Sequence, residues 1–145
     1  MTAFTDHLLE ANRDSWAAMA WVQQDRAFVV EERRVVAALR AHGLSSGLDD
    51  LLAGLDRSLV LEAEAFARTA AEHGFSPEVE PWPVCLGSTC FLRCAADDGV
   101  LDGLSALYAA ERAYLDTWAA VAGRSPADSA YHASIQNWSG QAWPG

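Results

Sequence analysis

No lysine occurs among the 145 residues, and all ten basic side chains are arginine. A chain without an ε-amine cannot form a Schiff base, cannot hold pyridoxal phosphate covalently and cannot supply the lysine of a Walker phosphate loop. Base is also short against acid. The 20 acidic residues leave a net charge of −10, which disfavours nucleic acid and anionic membrane as partners, because both are polyanions. No apolar run reaches the length needed to span a bilayer. Residues 1–16 mix Asp6, His7, Glu10, Arg13 and Asp14 with apolar side chains, unlike the basic start and apolar centre of a signal peptide. Cysteine is limited to Cys85, Cys90 and Cys94, an odd count in one short segment, which is not the paired framework of a small secreted domain. A reducing cytoplasm is therefore the expected compartment.

What is abundant is alanine and leucine, with little β-branched alternation and no convincing period of two, so the sequence predicts an all-α fold. Residues 1–145 fit one domain. Helices are expected at about 4–18, 21–42, 48–74, 84–96, 100–122 and 127–138. Gly43 and Gly74 stop two of them, and Pro77, Pro81 and Pro83 keep the connection after Gly74 out of regular helix. Nothing between Trp16 and Trp21 breaks a helix, so the first two are candidates for one long rod.

Three of these stretches carry a carboxylate inside the apolar stripe. Steps of three and four residues join Trp21, Asp25, Phe28, Glu32, Val35 and Leu39 in one helix, and Leu55, Leu59, Glu62, Phe66 and Thr69 in the next. The third stripe runs Leu104, Leu107, Glu111, Tyr114, Trp118 and Val121. Burying an ionised carboxylate alone costs several kcal/mol, so such groups are paired, hydrogen-bonded or open to a cavity. A carboxyl group in apolar surroundings also has a raised pKa, which suits general acid–base work near neutrality. Asp25, Glu62 and Glu111 are accordingly the candidate catalytic acids, and their convergence on one cavity is the expectation to test.

A metal centre finds less support. A carboxylate-bridged di-iron bundle needs glutamates with histidines at helical spacing, but Asp25, Glu62 and Glu111 have none in range. His7, His42, His73 and His132 fall near helix ends, where a cation offsets the helix dipole. Cys90 and Cys94 share a helical face, and a three-thiolate site with Cys85 is conceivable, yet no fourth ligand lies nearby. Buried structural thiols are the expectation, with no metal and no cofactor.

The string Trp21-Val22-Gln23-Gln24-Asp25-Arg26-Ala27-Phe28-Val29, the segment from Tyr108 to Tyr114 and the segment from Tyr131 to Trp138 together resemble the TenA/thiaminase II family. The resemblance runs from the opening Phe4-Thr5-Asp6-His7-Leu8-Leu9 to Trp138 and rests on the order and spacing of its pieces. It implies a heme-oxygenase-like helical bundle that binds, and by extension hydrolyses, an aminomethyl-pyrimidine in thiamine salvage. On that implication Asp25 holds the ring amine, Phe28, Tyr114 and Trp138 wall the pocket, and Glu111 or Glu62 handles protons. Three departures stand against it. The position of the family's nucleophilic cysteine is Ala110, and Glu111 beside it points about 100° away on a helix. The His-Pro-Phe segment is absent between Trp16 and Trp21, as is the C-terminal part with its glutamate. A bundle without those elements leaves apolar surface open, so a homo-oligomer is expected. The alternative reading is a non-catalytic member that binds a small molecule or a protein. A di-iron oxidase of the same superfamily ranks third.

Overall fold

A computed structural model of the chain describes residues 15–122 and Arg124, with side chains from Met19 onward. Every regular element in that range is helical. α1 is Ser15–Arg40, α2 Ser46–Glu72, α3 Pro83–Asp98 and α4 Val100–Ala122. The all-α expectation holds, and α2, α3 and α4 begin and end within two residues of the expected bounds. α1 is a single rod through residues 18–21, because nothing there interrupts the backbone ladder. The remainder of the helix expected at 4–18, the helix at 127–138, the opening string and Trp138 lie outside the described residues.

The helix ends have local causes. Gly43 and Gly74 adopt the left-handed backbone, φ 72° and 78°, that a side chain disfavours. After α2 the Phe75 amide reaches back to Ala70 O at 2.9 Å and the Gly74 amide to Ala71 O at 3.0 Å. This double closure satisfies carbonyls that the helix end leaves over. Pro83 opens α3 at a position where the missing amide costs no helical bond.

Contacts in space divide the chain into two compact units. One covers Met19–Leu107, and the described part of the other is residues 15–18 with α4 from Tyr108 onward. In the first unit α1 and α2 run antiparallel. Trp21 meets Phe66 edge to face, ring centroids 5.7 Å apart, Arg33 Nε bonds Asp56 Oδ1 at 2.8 Å, and Arg40 takes Asp49 through two bonds of 2.8 and 3.1 Å. These three pairs hold one register. α1 contributes Val22, Val29, Val35, Val36 and Leu39 to the core, and α2 contributes Leu52, Leu59, Phe66 and Ala70. Each large apolar side chain so buried stabilises by about 1.5–3 kcal/mol relative to exposure.

α3 and α4 are separated only by Gly99, and their packing is close. A Cβ on buried Gly103 would lie 2.6 Å from Leu39 Cδ2 and 2.8 Å from Ala96 Cα, so glycine is what lets α4 approach α3 and α1 there. α3 itself buries a narrow face, Thr89, Leu92 and Ala96. The rest of its surface is open. Cys90 and Cys94 are exposed, so the expectation of buried structural thiols is corrected: they lie away from the Thr89–Leu92–Ala96 face, while Cys85 alone is half-buried.

Candidate functional site

The Gln-Gln-Asp-Arg string of α1 divides its side chains between two tasks. Residues 75–82 contain prolines and form no helix, so their backbone groups need partners from elsewhere. α1 supplies them. The Gln24 amide donates from Nε2 to Glu80 O at 3.2 Å and accepts at Oε1 from the Trp82 amide at 2.7 Å. One side chain thus pairs with residues two apart, as a neighbouring strand would. Gln23 Nε2 donates to Ser76 O, and Arg26 Nη1 to Pro77 O at 3.1 Å. The connection closes its own first turn through Ser76, whose hydroxyl accepts from the Glu78 amide at 3.1 Å.

Asp25 points to the other task. By helical period it falls between Val22, Val29 and Glu32 on the core side of α1, and it is half-buried. The register set by Trp21–Phe66 and Arg33–Asp56 places Asp25 level with Glu62 of α2, also half-buried, between Leu59 and Phe66 on that helix's core face. Phe28, one turn further along α1, is half-buried. Two carboxylates, an aromatic ring and the Trp21–Phe66 pair therefore share one stretch of the α1–α2 pair. Such an arrangement suits a flat ligand with basic nitrogens: carboxylates accept from amines, and ring faces stack.

One acid was visible in the stripe yet not singled out. Glu32 is only 2% exposed, the most buried charged side chain of the described residues. It sits in the same step pattern as Asp25, Val35 and Leu39. Its neighbours one turn away, Val29, Val35 and Val36, are all buried, but Asp25 has apolar neighbours at the same spacing, so no local signal separates the two acids.

Cys85 borders this region from α3. Its Sγ donates to Gln24 O at 3.6 Å, and burial, followed by the negative charges of Asp25 and Glu31, pushes its thiol pKa up. A thiol held protonated is a poor nucleophile. Cys85 is therefore a weak nucleophile at neutral pH.

Glu111 and Tyr114 belong to the second unit. On α4 the stripe Glu111, Tyr114, Trp118, Val121 matches the expected face, with Glu111 and Tyr114 half-buried and Trp118 and Val121 buried. Tyr114 and Trp118 meet edge to face at 6.0 Å, and Arg112 pairs with Asp116 at 2.9 Å on the outer side. Trp138 lies outside the described residues. Among the described residues no group of three or more His, Cys, Asp or Glu side chains is placed to hold a metal ion, and no helix is long and apolar enough to cross a membrane. No family model, curated protein or solved structure matches this chain.

Proposed function

We propose that this chain is a TenA-like helical protein of thiamine salvage, with a heme-oxygenase-like fold, that binds an aminomethyl-pyrimidine and hydrolyses its exocyclic C–N bond. The observation that carries this reading is the placement of Asp25 and Glu62 at one level of the α1–α2 pair, with Phe28 one turn away. In this scheme Asp25 accepts from the ring amine. Glu62 takes one proton from the attacking water and returns it to the aminomethyl nitrogen as the C–N bond breaks, so that carbon gains the hydroxyl and the nitrogen leaves as ammonia. With Ala110 where the resemblance would place a thiol, water is the nucleophile and no covalent intermediate forms. The resemblance also gives roles to Glu111, Tyr114 and Trp138.

The test is the melting temperature with and without a 4-amino-2-methylpyrimidine ligand, alongside ammonia release from the aminomethyl compound. A ligand-dependent rise that Asp25→Asn abolishes supports the pocket, and ammonia release supports the hydrolase. No rise at all overturns the reading. Binding without release leaves the second reading, a non-catalytic binding module. Ala110 favours that module, as do the exposed apolar residues Val84, Leu86 and Phe91 of α3, which would serve a homo-oligomer.

A further inference from the structure

α3 carries two thiols that the pyrimidine reading does not use. Cys90 and Cys94 are one turn apart, both free and both exposed, on the side of the helix away from Thr89, Leu92 and Ala96. Residues at this spacing are neighbours, with Cβ atoms about 5–6 Å apart. That separation exceeds the roughly 3.5–4.5 Å between the Cβ atoms of a disulfide, so a direct S–S bond would have to distort the helix. It suits two sulfurs joined through a metal, with metal–sulfur bonds of about 2.3 Å each.

The ion is selected by what the surroundings lack. Zinc takes four ligands in a structural site, and no group of three or more candidate ligands exists among the described residues. Cys85 cannot serve, because its Sγ is turned to Gln24 O beside α1. Two thiolates alone satisfy a soft d¹⁰ cation that accepts two-coordination. Arg93, on the intervening turn, is drawn toward Glu31 at 4.0 Å, while Asp97 and Asp98 close α3 with negative charge. A net charge of −10 favours approach of a cation.

We propose that Cys90 and Cys94 form a two-coordinate site for a soft monovalent cation of the copper(I) class. Two S–Cu bonds form, the two thiol protons pass to solvent, and no electron moves because copper stays monovalent. The experiment titrates the reduced full chain, without oxygen, against copper(I) held by a chromophoric chelator, and follows thiolate-to-metal charge transfer in the ultraviolet. One equivalent is expected to transfer. Cys85→Ser should leave it unchanged, and Cys90→Ser or Cys94→Ser should each weaken it by roughly a hundredfold, since the second bond is intramolecular. A Cys94→Ser chain that also carries Arg93→Cys restores the neighbouring spacing and should regain the affinity. Uptake that survives Cys90→Ser, or that follows Cys85 instead, overturns the site. A parallel silver(I) titration gives the same stoichiometry if two-coordination is the basis and a different one if it is not.

Discussion

A single methyl group has opposite consequences at two glycines of this chain. At Gly103 a Cβ would lie 2.8 Å from Ala96 Cα, a backbone atom that cannot swing aside. At Gly54, inside α2, it would meet only Arg57 Nη2 at 3.7 Å, the far end of a flexible side chain. Gly103→Ala is therefore expected to destabilise by about 1–2 kcal/mol, overpacking outweighing the gain in helix propensity. Gly54→Ala should stabilise by up to about 1 kcal/mol. Urea midpoints of the two variants moving in the same direction would refute the packing argument. The thiols give a second contrast. Burial and the charges of Asp25 and Glu31 hold Cys85 protonated, so at neutral pH iodoacetamide should modify Cys90 and Cys94 first. Asp25→Asn removes one of those charges and should speed Cys85 alkylation; an unchanged rate, read by peptide mass, would argue that the aspartate is not felt at the sulfur.

Elements depend on each other through a few polar contacts. The connection between α2 and α3 is held to α1 by Gln24, which bonds both Glu80 O and the Trp82 amide. Gln24→Ala should cost about 1–2 kcal/mol, because two hydrogen bonds of ordinary net worth are lost at a partly solvated site. The sharper readout is hydrogen exchange at the Trp82 amide, which should accelerate while the core amides of α2 keep their protection. Between α1 and α2 the Arg40–Asp49 pair sets a pH dependence. The Arg40 hydrogen bond holds the Asp49 carboxyl below its ordinary range. A depressed carboxylate contributes its stability in full above the unfolded value, near pH 4, and loses it as pH falls through the folded value. The urea midpoint should fall on acidification below about pH 4, and Asp49→Asn should make that limb shallower.

At the scale of the molecule the charge balance dominates. Twenty acids against ten arginines make self-repulsion the largest long-range term, and the ion pairs seen are mostly solvent-exposed and individually weak. Raising salt from low to physiological concentration should therefore raise the melting temperature. A fall would mean that Arg33–Asp56 and Arg40–Asp49 outweigh the net repulsion.

Among the described residues, the helical class and the bounds of α2, α3 and α4 follow from the sequence, because the signals are local: apolar residues at steps of three and four, Gly43 and Gly74 in left-handed turns, Pro83 at a helix start. That Asp25, Glu62 and Glu111 each interrupt an apolar stripe of their own helix is legible for the same reason. Which acid in α1 is buried most deeply is not local. Asp25 and Glu32 lie on one face of α1, and only the packing of neighbouring helices leaves the first half-buried and the second sealed. The same holds for Gln24, whose two partners lie more than fifty residues away, and for Gly103, which is needed only because Leu39 and Ala96 arrive against it. Cys90 and Cys94 read as buried thiols in the sequence, since apolar residues flank them in α3. The narrow Thr89–Leu92–Ala96 contact decided that they face outward. Periodicity carries which residues share a face; burial depends on which faces meet, and that is a property of the assembled chain.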